Sequence, residues 1–324
     1  MKRKLLFVAA AILLSSCSSS LNYIQPRNKA AISLLEQMEK AYNDGDCNLY
    51  HELYEKFSAE KPSAKLRENA YLYDGICNER QGNADKAIAV YKLASGLYPK
   101  NPAFDYRLAT IYLQTSFYEK SLPLFEKSIS RNYQERDSLL GAARSNAALG
   151  RMPQAITNYT KALSMSGENN VLIIRELVEC LVISQRYDEA RKYIDKGYSI
   201  DRNPEWHVLA ARSYAKEGNF SKASEEMSDA IIDDNKREYR ISKAFYDYWA
   251  GNIRSAEAAA DEELSANPYD YLASFLKGMC LRSAGQTDIA DSYFKISACG
   301  EKFIEELSRK MSSVSLPAKE ELCK

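Results

Sequence analysis

The sequence predicts an all-α fold, an α-solenoid in which antiparallel helix pairs stack side by side. A small residue returns at intervals of 34, 34, 35, 33, 33 and 34 residues, at Ala87, Ser121, Ala155, Ala190, Ala223, Ala256 and Ala290. A large side chain follows most of these positions, and a break containing glycine precedes most of them. A period of this length is typical of arrays built from helix pairs.

The large side chains stand four positions after the small ones, at Tyr91, Phe125, Tyr159, Ile194, Met227 and Phe294. Residues four apart share one face of a helix, so each large side chain fills space beside a small one. Three positions later come more small residues, at Ala94, Ser128, Ala162, Gly197, Ala230 and Ser297. This pattern predicts the second helix of each pair. The unit around Ala256 departs from it, with Ala260 at the bulky position.

Glycines mark the breaks before these helices, at Gly82, Gly150, Gly218, Gly251 and Gly285. Glycine adopts the left-handed conformation that ends many helices, so the first helix of each pair is expected to stop there. Gln185 stands at the equivalent position in the unit 170–202. Prolines separate successive units, at Pro99, Pro102, Pro204 and Pro268, because proline does not continue a helix interior.

These residues together resemble the tetratricopeptide repeat (TPR). The clearest copy is 69–100, where the matching residues are Tyr71, Gly75, Ala87, Tyr91, Ala94 and Pro99. Seven such units cover about 67–300, and 30–62 resembles a degenerate eighth. The resemblance implies a TPR-like superhelix, which we treat as one continuous domain at 29–300, followed by a capping helix and a loose tail at 301–324.

The N-terminus reads as a signal peptide at 1–16. Lys2, Arg3 and Lys4 precede the apolar run 5–14, which is too short for a mature membrane span. Residues 14–17 resemble the lipobox of bacterial lipoproteins, which implies cleavage before Cys17 and acylation of its thiol by palmitate or a related chain. An ordinary cleaved secretory signal is the alternative. Residues 17–28 are predicted to form a lipidated, flexible tether.

Localisation follows from the same resemblance. Ser18 and Ser19 stand where lipoproteins retained at the inner membrane often carry Asp. The resemblance therefore implies a lipid-anchored protein of the bacterial cell envelope, at the outer membrane and facing the periplasm.

The cysteines are expected to lie in an oxidising compartment, where disulfides persist. Cys47 and Cys77 belong to adjacent helices in the repeat register and are the first disulfide candidates, followed by Cys299 with Cys323. Cys180 occupies a first-helix position and is interpreted as a small buried side chain, as is Cys280.

Nothing in the sequence predicts catalysis, a cofactor or a metal site. The chain lacks a phosphate-binding glycine loop and a nucleophile motif, and His51 and His207 are its two histidines. Its 44 basic and 44 acidic residues balance, so nucleic acid is not an expected partner.

In the TPR family the first helices line a concave groove that receives an extended peptide or a helix. The register projects a set of residues inward, and these form the predicted partner groove: Tyr106, Arg107, Gln114, Arg144, Arg175, Glu179, Arg212, Lys216, Phe245, Tyr248, Trp249, Phe275 and Met279. Positive charge beside aromatic side chains suits a partner with acidic residues and an apolar anchor. The alternative is that the aromatic residues belong to the core.

The predicted function is a membrane-anchored, non-enzymatic scaffold for protein–protein interaction in the envelope. Similar lipoproteins act in outer-membrane protein assembly, secretion, pilus biogenesis or protease recruitment, and the sequence does not choose among these roles or define an oligomeric state. The alternative is an envelope protein that binds a small molecule or glycan through the aromatic stretch near Trp249.

Overall fold

The computed structural model describes residues 26–319 and residue 323, and the described residues form seventeen α-helices and no strand. The contacts divide the chain between Ser145 and Asn146 into two compact units. The first helices are α1 Pro26–Asn43, α2 Cys47–Ala59, α3 Ala64–Arg80, α4 Ala84–Leu97, α5 Pro102–Gln114, α6 Tyr118–Ile129 and α7 Glu135–Ala148, inside which the division falls.

The second unit continues with α8 Met152–Met165, α9 Val171–Ile183, α10 Tyr187–Asp201, α11 Glu205–Lys216, α12 Phe220–Asp233, α13 Arg237–Trp249, α14 Ile253–Ala266, α15 Tyr271–Ser283, α16 Thr287–Ser297 and α17 Lys302–Met311. Consecutive helices pack as pairs: α1 with α2, α3 with α4 and α5 with α6 in the first unit, and α9 with α10 through α15 with α16 in the second. The predicted all-α solenoid of helix pairs is therefore confirmed.

The phased small residues lie at the centre of this packing. Ala87, Ser121, Ala155, Ala190, Ala223, Ala256 and Ala290 are all fully buried. The large side chains four positions later are at most 4 % exposed, and Ala260, which replaces one of them, is also buried. The second helix of each pair thus turns the predicted face toward its neighbours.

Glycine in one helix makes room for an aromatic ring from another. A Cβ atom added to Gly75 in α3 would lie 2.1 Å from a ring carbon of Tyr91 in α4. In the second unit, a Cβ on Gly278 in α15 would lie 2.7 Å from Phe294 in α16. No side chain larger than hydrogen fits at either position without a shift of the ring.

The turns follow the predicted pattern with two exceptions of residue type, Ser116 and Gln185. The five turn glycines have φ angles from 73° to 87°. Gln185 adopts the same left-handed conformation, with φ 59°, although it carries a side chain. A residue other than glycine pays about 1–2 kcal/mol for this conformation, so tertiary packing overrides local preference at this turn.

The part of the chain that the structure describes contains two disulfides. Cys47 at the start of α2 is bonded to Cys77 in α3, with a Cα–Cα distance of 5.3 Å. The second joins Cys299 to Cys323. Cys180 and Cys280 are unpaired and buried, and burial raises the pKa of the Cys180 thiol to about 11 and that of Cys280 to about 12.

The tail after α17 was predicted to be loose, and this prediction is wrong. Asp291 in α16 accepts hydrogen bonds from Ser312 and Ser313. Arg309 donates through Nη1 to the carbonyl oxygens of Leu316 (3.0 Å) and Pro317 (2.7 Å). These side-chain bonds and the terminal disulfide hold a segment that buries little apolar surface, so hydrophobic periodicity does not reveal it.

The capping helix α17 packs on the core through one face. Ile304, Leu307 and Met311 pack against the core cluster of α15 and α16. Phe303 is 68 % exposed. It lies one residue before Ile304 and is rotated away from that core.

At the N-terminal end, α1 begins at Pro26, so the last residues of the tether predicted at 17–28 are helical. The predicted signal peptide at 1–16, Cys17 and the rest of that tether lie outside the described residues. Among the helices at 26–319, none combines the length and apolar character needed to traverse a bilayer.

We expect Gly75→Ala to destabilise the protein by about 1–3 kcal/mol, because the added methyl group overpacks the Tyr91 ring. Gly96→Ala is the matched control. Gly96 lies inside α4, and a Cβ there meets nothing within 4 Å, so this substitution should stabilise by about 0.5–1 kcal/mol. Urea unfolding followed by circular dichroism measures both. Equal effects of the two substitutions would contradict the close helix contact.

Candidate functional site

The first helices of the second unit carry most of the predicted groove residues. On α11, Arg212 and Lys216 are exposed and stand four residues apart, so they are neighbours on one helix face. The helix is held by Trp206, which is fully buried and donates from Nε1 to Asp201 Oδ1 at 2.6 Å. The Trp206 ring covers Gly197 in α10, where an added Cβ would lie 2.3 Å from it. Two cationic side chains are thus presented by a firmly packed helix.

Trp249 ends α13 and is 50 % exposed. Its ring is supported by three others, with centroid distances of 5.6 Å to Phe220, 5.7 Å to Phe245 and 6.2 Å to Tyr246. A large ring that is half exposed yet already held in place loses little conformational freedom on binding. Trp249 therefore has the properties of an anchor for a ligand.

Tyr246 connects the aromatic side chains to the cationic ones. Burial raises the pKa of the Tyr246 hydroxyl, and the positive charge of Arg212 partly opposes this rise. Tyr246 also packs against the core cluster that contains Ala211, the residue before Arg212 on α11. We call Arg212, Lys216, Tyr246 and Trp249 the α11–α13 surface.

The position of α13 depends on Asp247, which is 4 % exposed. Its carboxylate accepts hydrogen bonds from Lys243 Nζ at 2.7 Å and from Ser255 Oγ in α14 at 2.8 Å. Ser224 Oγ in α12 donates to its other oxygen. One carboxylate thus joins three consecutive helices, two residues before Trp249.

Two predicted groove residues belong to the core. Phe275 and Met279 are 6 % and 7 % exposed and pack with Ala290 and Phe294. Their placement in the groove is wrong, because α16 and α17 cover that side of α15. Tyr248 and Phe245 are half-buried against the same cluster. The Tyr248 hydroxyl lies 2.8 Å from Ser283 Oγ, whereas the adjacent Trp249 contacts Phe220, so the two rings point apart.

On α9, Arg175 is half-buried, and its guanidinium lies 5.0 Å from the centroid of the Trp206 ring. Glu179 is exposed one turn later. Sequence reasoning missed two apolar side chains on the same helix, Leu172 and Ile183, which are 69 % and 62 % exposed. Helix α9 therefore also presents apolar side chains to a binding partner.

In the first unit, two predicted groove residues make packing contacts and two are exposed. Tyr106 packs edge-on against Phe125 and Tyr133, and burial raises the pKa of its hydroxyl. Arg107 lies 3.9 Å from Glu79 in an ion pair. Gln114 and Arg144 are exposed. Tyr106 and Arg107 therefore contribute to packing in this unit.

Comparison with known proteins agrees with this fold. A family model described as tetratricopeptide repeat matches residues 106–170. The crystal structure of the C-terminal part of a TPR repeat-containing protein from Cytophaga hutchinsonii superimposes with a TM-score of 0.60 at 15 % identity, covering 74 % of this chain and 97 % of that one.

Residues 106–170 therefore match the tetratricopeptide-repeat family, and the structural similarity shows the same fold over a larger part of the chain.

Two further similarities are more distant. The TPR protein YrrB, described as having an unusual peptide-binding site, matches with a TM-score of 0.49 at 19 % identity, over 52 % of this chain and 88 % of YrrB. The BBSome complex member BBS4 of Bos taurus is 23 % identical over 195 residues. That match takes in 60 % of this chain but spans 37 % of BBS4. TPR proteins generally bind protein or peptide partners.

The fold also assembles a group that the sequence did not indicate. His207 in α11 and two carboxylates of α12, Glu226 and Asp229, place one ligand atom each within 4.8 Å of one another. No metal site was expected, because the sequence has two histidines and no close pair of cysteines. The antiparallel pairing of α11 with α12 brings together a histidine and carboxylates that are about 20 positions apart in sequence.

Asp247→Asn tests the support of α13. Burial raises the pKa of the Asp247 carboxyl, but the bonds from Lys243, Ser224 and Ser255 outweigh this, so its pKa in the folded protein is lowered. A lowered folded pKa contributes stability that is present above the unfolded value, about 3.9, and is lost as pH falls through the folded value. We expect Asp247→Asn to cost about 2 kcal/mol at pH 7 and progressively less below about pH 4.

Urea midpoints of wild type and variant between pH 7 and pH 3 measure this difference. Glu225→Gln, a change to an exposed carboxylate of α12, is the control and should have little effect. A wild-type advantage over Asp247→Asn that stays constant across this range would contradict the assigned role.

Proposed function

We propose that this chain is a lipid-anchored scaffold of the bacterial cell envelope that binds segments of partner proteins on its α11–α13 surface. The observation that carries the proposal is the pre-organised Trp249, which is half exposed and supported by three rings. One of these rings, Tyr246, packs against the core cluster of α11, the helix that carries exposed Arg212 and Lys216. Tryptophan, tyrosine and arginine contribute a disproportionate share of interface energy.

The chemistry of the surface selects the partner class. The positive charges of Arg212 and Lys216 favour a segment with acidic side chains, since complementary charge steers association and fixes register. Trp249 offers an apolar face for an aliphatic or aromatic anchor in the same segment. A partner with both features is favoured over one with either alone.

The envelope location rests on separate observations. Lys2 to Lys4, the apolar run 5–14 and Cys17 resemble a lipoprotein signal, and multiple acyl chains hold a protein stably on a membrane. The disulfides Cys47–Cys77 and Cys299–Cys323 support this location, because such bonds persist in oxidising compartments. The outer membrane, facing the periplasm, is the proposed site.

Within the envelope, the proposed roles are outer-membrane protein assembly, secretion, pilus biogenesis or protease recruitment. BBS4 is named as a member of a complex, which supports a role in assembly. The alternative ligand, a small molecule or glycan, would stack on Trp249. We favour a protein segment, because the exposed side chains of Arg212 and Lys216 on α11 match charged peptide groups.

The first test is capture of partners from detergent-solubilised envelopes of the source bacterium, read by quantitative mass spectrometry. We expect Trp249→Ala and the double variant Arg212→Glu/Lys216→Glu each to reduce recovery of the same proteins by at least tenfold, because truncation of an interface hot spot costs about 2 kcal/mol or more. Lys192→Glu, at an exposed lysine of α10, is the charge control and should leave recovery unchanged.

Recovery of the same proteins by wild type and both variants would contradict binding at this surface. Loss of recovery with Lys192→Glu as well would show a non-specific charge effect and would also contradict it.

The second test concerns the anchor. Cells grown with an alkyne analogue of palmitate should label the wild-type protein, and Cys17→Ser should abolish the label and release the protein from the membrane fraction. Cys280→Ser, at a buried thiol, should retain the label. Labelling that survives Cys17→Ser would refute lipid attachment at this residue.

A further inference from the structure

The side chains around His207 form a compact polar cluster between α11 and α12. His207 Nδ1 lies 2.9 Å from Glu226 Oε2, and His207 Nε2 lies 3.9 Å from Asp233 Oδ2. Asp229 completes the group, with its ligand atom within 4.8 Å of those of His207 and Glu226. Glu226 and Asp229 are three residues apart, so they share the face of α12 that meets His207.

The imidazole has a carboxylate beside each nitrogen. A neutral imidazole carries one N–H, so it can donate to one of these groups while its other nitrogen presents a lone pair. The nitrogen that keeps its lone pair can bind a cation, or it can take a second proton. These two states make different predictions, and the surrounding geometry favours the cation.

Three features of the geometry favour a metal ion. Two ligands about 2.1 Å from an ion in tetrahedral geometry are about 3.4 Å apart, so His207 Nδ1 and Glu226 Oε2, 2.9 Å apart, reach that geometry with a shift of about 0.5 Å. Metal-bound histidines usually donate their second N–H to a carboxylate, and Asp233 lies on the Nε2 side of the ring. Asp229 is exposed, so an ion can reach the group from solvent.

The histidine and the outer carboxylate are themselves held in place. The Tyr198 ring packs edge-on against the imidazole, with centroids 4.6 Å apart. The Tyr198 hydroxyl donates to Asp233 Oδ2 at 3.2 Å. One tyrosine of α10 therefore orients both the ring and the carboxylate on its Nε2 side, which is the support that a pre-organised ligand requires.

We propose that His207, Glu226 and Asp229 bind a divalent first-row transition-metal ion, with Asp233 positioning the second imidazole nitrogen. One nitrogen and two carboxylate oxygens form a donor set that suits Zn²⁺ and similar ions better than Ca²⁺ or Mg²⁺. Three protein ligands leave coordination positions for water. Because the ligands come from both helices of one pair, the ion links α11 to α12.

The other histidine provides a matched control. His51 Nε2 lies 3.0 Å from Asp74 Oδ1, so it also pairs with a carboxylate. Among the residues at 26–319 and residue 323, the His207 group alone brings three potential ligands together. His51→Gln thus removes a histidine–carboxylate pair without removing a metal site.

The test uses full-length protein without a histidine tag, stripped with EDTA, dialysed and titrated with ZnCl₂ in a calorimeter. We expect one equivalent to bind with micromolar or tighter affinity, and the melting temperature to rise. His207→Gln and Glu226→Gln should each weaken binding at least tenfold, whereas His51→Gln and Glu225→Gln should not. Circular dichroism establishes that each variant keeps its helices.

Absence of a one-equivalent site in the wild type would overturn the proposal. Binding that survives both His207→Gln and Glu226→Gln would overturn it as well, because it would place the ion elsewhere. If ¹⁵N NMR shows that the His207 ring takes a second proton, and that Zn²⁺ at one equivalent leaves both ring nitrogens unshifted, the cluster is a protonated ion pair.

Discussion

Close approach of neighbouring helices, at a residue with almost no side chain, is the contact on which this structure depends. In the first unit Gly75 accepts the Tyr91 ring, and in the second unit Gly278 accepts Phe294. The phased small residues of the second helices also allow close approach, since all seven are buried. A helix held this closely on its packed face presents its remaining face in a defined orientation.

The geometry of the α11–α13 surface depends on the close packing of the helices. Buried Trp206 holds α11 against Gly197, and buried Asp247 ties α13 to α12 and α14. Arg212 on α11 and Trp249 on α13 remain exposed. Binding groups on rigid elements need little ordering when a partner arrives, so the same interactions that stabilise the repeat also prepare the surface.

The repeat pattern predicted those features that follow from the position of a residue within a helix pair. It located the buried small residues, the paired helices and the adjacency of Cys47 and Cys77, because each follows from position within a unit. Gln185 stands where most of the other turns have glycine, yet the turn forms there as well. The sequence left open which exposed first-helix side chains act in binding, since that depends on a partner.

Other features could not be predicted from the sequence, because they depend on contacts between residues that are far apart along the chain. Phe275 and Met279 occupy first-helix positions like those of Arg212 and Phe245, yet α16 and α17 cover them. The tail is held by Asp291, Arg309 and a disulfide rather than by an apolar stripe. The His207 cluster joins residues of two helices, and no local spacing motif marks it.

The central claim is that this chain acts by holding a partner segment on the exposed face of α11 and α13. Site-specific photo-crosslinking in intact cells tests it most directly, with a photoreactive amino acid in place of Trp249 or, as the control, of Lys192 on α10. The account predicts discrete protein adducts from position 249, reduced by Arg212→Glu/Lys216→Glu, and none of the same adducts from position 192. Identical adducts from both positions, or none from position 249, would contradict it.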